Sequence, residues 1–389
     1  MRTCVKRCNF ERLPARHPPR EQSLSININC LTLATHSIRL CIRRPPNALF
    51  VMKLPRDCTF SPTDWSILSR FWHPVAFSRD VERQPVGVRL LDERIALYRL
   101  ADGEVVAARD LCAHRGAPIS LGFVKGNEIV CRYHGLHYGK SGACTLIPAQ
   151  PGATSSRLKL QIYPCRERYG LIWVRLAEEG DDIIPDFEEW NDPEFLQVIP
   201  NTVDLAAAAG RQLEGFIDVS HFAFIHTATF GEENNPEVPP YPIEITPRGF
   251  RADYVSTVSN YPTPLKHLNP PGFQWRRLFE VWLPFAAKLT IYFPGDKRLV
   301  IFNVASPVSA RKTKVFSPLC RDFDRDAPLQ PTLDFNHQVF AEDKAIVESQ
   351  YPEDLPLDLA AEAHIAADKS SINYRKLLAN LGLGLSYTT

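Results

Sequence analysis

Two thiols and two imidazoles stand in two short pairs, Cys112-x-His114 and Cys131-x-x-His134, with sixteen residues between the pairs. A chain that sets a thiol beside an imidazole twice can bind a metal with all four. A tetrahedral zinc would accept two Cys and two His. A [2Fe–2S] cluster with thiolates on one iron and imidazoles on the other would accept the same residues, each loop giving its Cys to one iron and its His to the other. Gly116 follows the first pair, and Gly135, Gly139 and Gly142 follow the second. Glycines there let backbone N–H groups approach the sulfurs of a cluster.

A second constellation lies in "DVSHFAFIH", which supplies Asp218, His221 and His226. At a spacing of three, Asp218 and His221 would share a helix face. His226 would fall about 140° from His221 on a regular helix. Both rings can meet one metal only if the helix bulges or ends between them, as helices often do at functional sites. Two histidines and one carboxylate make the facial triad of non-heme Fe(II) oxygenases, which leaves metal positions open beside the substrate.

The stretches "CAHRGAPISLG" and "CRYHGLHYGKSGACTLIP" resemble the Rieske domain of the Rieske non-heme iron oxygenases. The resemblance implies one Rieske [2Fe–2S] cluster on Cys112, His114, Cys131 and His134. Leu136 stands where that family commonly has an aromatic, a departure that bears on packing rather than ligation. "DVSHFAFIH" is similar to the family's iron-binding stretch and implies one mononuclear Fe(II) on His221 and His226. The third ligand in that family is an Asp on a late helix. "AEDKAIVESQ" resembles that helix and points to Asp343, with Glu342 and Glu348 as rivals. Asp218 then resembles the family's bridging acid, which accepts from an iron-bound His and from a cluster His of the neighbouring subunit; a homotrimer is implied. Gly215 stands where relatives often carry Asn, and Glu214, one turn before Asp218, reads as a solvated or interface charge, with part of the electron relay as the alternative.

The implied activity is that of a terminal oxygenase in a multicomponent system. It uses O₂ and electrons from a separate NAD(P)H-dependent reductase, with or without a ferredoxin, to hydroxylate or O-demethylate a small substituted aromatic. The single-subunit phenoxybenzoate, toluenesulfonate and vanillate enzymes are the nearest in style. The alternatives are a cis-dihydroxylating ring dioxygenase and, from a different class, a Rieske electron carrier without oxygenase activity. No GxGxxG follows a predicted strand and no C-x4-C-x2-C run exists, so the reductase is expected to be another protein.

The elements that must position these residues read as α+β. Between residues 65 and 178, short apolar runs such as "RIALYRL" and "GLIWVRL" alternate with Asp-Gly and Ser-Gly turns, the pattern of a β-rich domain. The acidic stretch 181–200 resembles a connector. "DLAAAAGRQLEGFIDVSHFAFIH" reads as a helix. Alternating runs from "PIEIT" to "TKVFSPL" suit an antiparallel sheet with one covered face. The last 60 residues read as helix again, in "TLDFNHQVFAEDKAIVESQ" and "LDLAAEAHIAADKSSINYRKLLANLG". With the resemblance, the fold class is a β-rich Rieske domain followed by a helix-grip catalytic domain, an antiparallel sheet wrapping a helix. The expected divisions are 1–60, a basic extension; 61–180, the Rieske domain; and 181–389, the mononuclear-iron domain. Trp275, Trp282, Phe285, Tyr292 and Phe302 are candidates for lining an apolar substrate cavity, or for ordinary core.

Composition narrows the partners. The net charge of +1 offers no global field for nucleic acid or an anionic membrane. No apolar run approaches the ~20 residues of a membrane span. Ten cysteines in 389 residues are too sparse for a disulfide scaffold, so a reducing, cytoplasmic setting is expected, with Cys144 and Cys165 as plain core residues. Residues 1–51 hold nine Lys or Arg against two acids. They show no sustained period, and read as a disordered tail, an upstream extension before Met52, or a transit peptide.

Overall fold

Residues 62–178 build three small antiparallel sheets, and the computed structural model shows how each follows from its sequence. It describes residues 54–153, 155–257 and 270–384. The expectations for the basic N-terminal stretch lie outside the described residues. Helix α1 (Pro62–Leu68) starts at Ser61, whose hydroxyl accepts from the Asp64 N–H, a normal N-cap. One four-stranded sheet runs in the order Val86–Leu90, Glu93–Arg99, Val105–Arg109, Ile162–Tyr163. A second takes Phe123–Lys125, Glu128–Val130, His137–Gly139 and Cys144–Leu146. A third places Leu171–Val174, buried throughout, between His73–Phe77 and Cys165–Arg168. The β reading of this half holds.

The second half is a long antiparallel sheet. Its strands run in the order Leu196–Val198, Leu319–Arg321, Arg298–Ser309, Ala286–Tyr292, Trp275–Trp282, Gly249–Ser256 and Ile243–Thr246. Val203–Leu205 pairs with Lys312–Phe316 beside them. Burial alternates along Gly249–Ser256 and Trp275–Trp282, the signature of one covered face. Helix α2 (Ala209–Ile217) lies on that face. Its Ala209, Leu213 and Ile217 join Phe279, Val281, Ala287, Leu289 and Ala305 in one core. The chain is therefore α+β, with a sheet closing around a helix.

Three expectations need correction. The stretch 181–200 is no mere connector: Ile184, Phe187, Trp190 and Phe195 are buried, and Leu196–Val198 joins the large sheet. The helix read from Asp204 to His226 is shorter. α2 ends at Asp218, whose backbone is extended (φ −77°, ψ 131°), and a separate turn, α3 (Phe222–Ile225), follows. At the C-terminal end, α4 (Gln330–Val347) matches its reading, but the next helix, α5, covers only Lys369–Asn380, preceded by a 3₁₀ turn at Leu359–Ala361.

Glu214 is also corrected. It is not a solvated charge but one corner of a largely buried ring of four charges, of which Glu362 alone is partly exposed. Arg375 donates to Glu214 through Nε (2.5 Å) and Nη2 (2.7 Å), and pairs with Glu362 at 2.6 Å. Arg211 pairs with Glu362 at 2.6 Å and with Glu214 at 3.5 Å. Alternating signs let each ion satisfy two neighbours, which is what makes charge tolerable away from water. The ring clamps α2 to α5, and Asp218 hangs from the end of α2.

Candidate functional site

The two Cys/His loops are built alike. In each, the Cys N–H donates to the carbonyl five residues on (Ala117, 2.8 Å; Leu136, 2.9 Å), and the Cys carbonyl accepts from the glycine four residues on (Gly116, 3.0 Å; Gly135, 2.9 Å). Both glycines have positive φ, +73° and +67°, a conformation that disfavours any side chain. The loops bury their thiols and expose their rings. Cys112 and Cys131 are 3% and 1% exposed, while His114 and His134 lie at the surface with their Nδ1 atoms 3.2 Å apart. Two thiols beneath two converging imidazoles form a donor set that fits a [2Fe–2S] group with sulfur ligands inward and nitrogen ligands outward. Tyr138 Oη sits 3.2 Å from Cys112 Sγ, and Leu136 packs in the core behind the loops. Cys144 and Cys165 are half-buried free thiols; Cys144 packs against the core that holds Cys112 and Cys131, and its Sγ donates to the Leu146 carbonyl.

The second set forms where α2, α3 and α4 meet. His221 and His226 cap the two ends of α3. α3 is a single turn whose backbone leaves the helix at His226 (φ −97°, ψ 28°), and the two rings converge, with Nε2 atoms 3.1 Å apart. Asp343, on α4, brings Oδ1 to 3.5 Å and 3.2 Å from those nitrogens. Ligand atoms of His221, His226 and Asp343 lie close enough together to hold a single metal ion. Gly231 lets the following loop fold back: its N–H donates to the His226 carbonyl, and a Cβ there would lie 2.1 Å from the Phe222 carbonyl.

Each histidine has its own carboxylate on the outer nitrogen. Asp218 Oδ2 is 3.3 Å from His221 Nδ1, while Oδ1 accepts from the Ser220 N–H at 2.8 Å. The pairing foreseen for Asp218 and His221 is present, but through a turn beyond the helix rather than along a helix face. Burial opposes charge on Asp218, yet the bonds to His221 and Ser220 win and hold its carboxyl below the usual range. Glu342 Oε2 accepts from His226 Nδ1 and from Thr229 Oγ1, both at 2.8 Å. Burial works against a charged His226 ring, but Asp343 and Glu342 outweigh it and raise its pKa. Glu342 is thus on the far side of His226 from the metal point. Its role was missed by the sequence, where it reads as a rival ligand. Glu348 is occupied elsewhere, by the Ala206 N–H at 2.7 Å and Lys344 Nζ at 2.6 Å.

A pocket opens over the three converging side chains. Its walls are Phe216, Phe222, Phe230, Leu289, Ile291, Leu299, Ile301, Leu319, Phe335 and Val339, with Arg277, Thr332 and Asn336 as the polar members beyond His221, His226 and Asp343. None of the five strand aromatics proposed from the sequence is among them. Trp275, Phe285 and Phe302 are core residues. The aromatic walls come instead from helices and the loop after α3.

Comparison with known proteins covers both halves. Residues 71–164 match the Rieske [2Fe-2S] domain, and residues 205–383 match the vanillate O-demethylase oxygenase C-terminal domain. The chain is 40% identical over 323 residues to methylxanthine N1-demethylase NdmA of Pseudomonas putida, covering 81% of this chain and 89% of that protein. It is 32% identical over 343 residues to methylxanthine N3-demethylase NdmB of the same organism, covering 82% and 91%. The solved structure of Pseudomonas putida NdmA with caffeine superposes with a TM-score of 0.73 at 38% identity, over 81% of this chain and 91% of that one. The likeness covers both halves, and on that ground the protein belongs to the Rieske non-heme iron oxygenases, as an oxidoreductase and the oxygenase component of its system.

Proposed function

We propose that Cys112, His114, Cys131 and His134 hold the cluster, that His221, His226 and Asp343 hold one mononuclear iron, and that the enzyme oxidises a methyl group on a flat aromatic or heteroaromatic substrate. The observation that carries this reading is the pocket: an apolar chamber that closes onto three converging ligand atoms is of no use to a simple electron carrier. When bound, the cluster would supply single electrons and the iron would activate O₂ beside the substrate. The chain's own residues do the rest. The phenylalanine and aliphatic walls exclude water and hold a flat ring. Asp218 and Glu342 take the outer N–H of His221 and His226, fixing each ring so that Nε2 faces inward.

N-demethylation is favoured over O-demethylation because the 40%-identical relative is named a methylxanthine N1-demethylase. One oxygen atom enters a methyl C–H bond, the other leaves as water with two electrons and two protons, and the resulting N–CH₂OH group collapses to formaldehyde and N–H. Those electrons come from a separate NAD(P)H reductase, with or without a ferredoxin. A cytoplasmic setting suits the free thiols, and no described helix is long and apolar enough to cross a membrane. The matched ranges support a division into residues 61–180 and 181–389. With a surrogate reductase, caffeine and methoxybenzoates should be tested together, reading formaldehyde and product mass. N-demethylated product supports the reading, and a cis-dihydrodiol, or NADH consumed without product, refutes it.

Asp218 is the residue we place between the two centres of neighbouring subunits in a homotrimer. Its second oxygen accepts from the Ser220 N–H at 2.8 Å. Asp218→Ala should keep the cluster and leave the mononuclear iron site roughly 10–100-fold weaker, while reoxidation of the reduced cluster by substrate and O₂ becomes very slow. Rapid-mixing kinetics at the wild-type rate would contradict this. Tyr138→Phe should lower the cluster's potential, because a hydrogen bond to a cluster sulfur favours the added electron; voltammetry giving an equal or higher potential would speak against it.

A further inference from the structure

A cleft of about 480 Å³ lies where the cluster domain meets the large sheet, and it shares no lining residue with the pocket over His221, His226 and Asp343. The seam is made by the turn between Val86–Leu90 and Glu93–Arg99. Leu91 N–H donates to the Pro307 carbonyl at 2.8 Å, and Asp92 N–H to the Val308 carbonyl at 2.9 Å. Each side gives the cleft one cross-strand pair. Arg89 stands directly opposite Arg94, and Ser306 directly opposite Lys314. Like charges in opposed positions repel and cost stability. Both guanidiniums nevertheless line the cleft, and among the described residues neither has a hydrogen-bond or ion-pair partner.

Ser306 is 2% exposed, and among the described residues its hydroxyl has no partner. A buried hydroxyl left unbonded costs free energy that a ligand would recover. Lys314 Nζ gives one N–H to Asp204 Oδ1 at 2.6 Å and keeps two more. The two carboxylates of the wall are already engaged. Asp204 has that ammonium, and Asp110 accepts from the Ser120 N–H and hydroxyl, both at 2.7 Å. Two guanidiniums, an ammonium and a hydroxyl therefore remain open around one space. Arginine forks match the paired oxygens of phosphate and carboxylate groups.

We propose that this cleft binds a multivalent oxyanion of the phosphate type, held by Arg89 and Arg94 from the cluster domain and by Ser306 and Lys314 from the large sheet. Such a ligand bonds both halves of the chain at once and relieves the repulsion between the opposed arginines. Asp110, in the same wall, lies two residues before Cys112, so the clamp sits at the root of the first cluster loop. The proposal is independent of what the pocket oxidises.

Titration calorimetry and thermal melting of the full-length, metal-loaded protein with inorganic phosphate test this, against chloride at matched ionic strength. One phosphate per chain should bind saturably. At ten times the dissociation constant the melting temperature should rise by on the order of 3–6 °C. A general exclusion of phosphate from the protein surface would instead stabilise without saturating. Arg89→Gln combined with Arg94→Gln should weaken binding by about tenfold or more, and Ser306→Ala by about fivefold. Both arginines are exposed, so the double variant should fold and, in chloride, melt no lower than the wild type. Arg83→Gln combined with Arg157→Gln, two exposed arginines outside the cleft, should leave the affinity unchanged. A stabilisation that never saturates, or a phosphate affinity that survives the loss of both Arg89 and Arg94, overturns the proposal.

Discussion

Asp343→Ala should empty the mononuclear iron site and abolish methyl oxidation, while the protein keeps its red-brown cluster and the cluster's EPR signal. The two donor sets share no residue, and they sit on different frameworks: one on two strand-connecting loops, the other on the ends of α3 and the middle of α4. Losing one of three protein ligands therefore strikes only one centre. Glu342, the adjacent acid, cannot take over. Its carboxylate is on the outer nitrogen of His226 and is shared with Thr229. Glu348→Ala should leave the iron in place, since among the described residues that carboxylate serves Ala206 and Lys344 at the end of α4. Metal analysis of the three variants decides the matter. Full iron in Asp343→Ala and an empty site in Glu342→Ala would show that the ligand is misassigned.

Glu214→Ala should cost the fold a large part of its stability. Removing one partner from a buried ion set leaves the others uncompensated, at about 3–5 kcal/mol. Here two guanidiniums, Arg211 and Arg375, each 3% exposed, would be left to share Glu362, which is itself partly exposed. At about 2–4 °C per kcal/mol for a large domain, the melting temperature should fall by on the order of 10 °C. Part of the loss should return in the pair Glu214→Leu with Arg375→Met, which replaces charge with packing. Calorimetry showing a drop within about 1 °C of zero would mean that the ring does not hold α2 against α5.

The cluster loops were legible because their chemistry is local. Ligand, spacer, ligand and glycine all fall within five residues, and the same order occurs twice. The histidine pair was legible for a partly wrong reason. His221 and His226 meet across the single turn of α3, which starts afresh after Asp218 and stops at His226; a spacing argument shows that a break is needed but not where it falls. Glu342 was misread because the sequence does not reveal which ring nitrogen faces the metal, and its partner is 116 residues away. The charge ring was hidden for the same reason. Arg211 and Glu214 are visible neighbours on a helix, but Arg375 lies 161 residues from Glu214, and the ordinary prior for a helical Glu is solvent. The pocket was the clearest miss. Alternation along a strand sorts its residues into two faces without saying which face carries the cavity. The α4 stripe through Thr332, Phe335, Asn336, Val339 and Asp343 was present in the sequence, but it reads equally well as core.

The most direct test of two metal centres in one chain is to measure iron, zinc and acid-labile sulfide in the purified full-length protein, with EPR after reduction. The account predicts two iron atoms and two sulfides from the cluster plus one further iron per chain, and a Rieske-type signal. Zinc without sulfide, or iron and sulfide in equal amounts after the protein has been supplied with Fe(II), would contradict it.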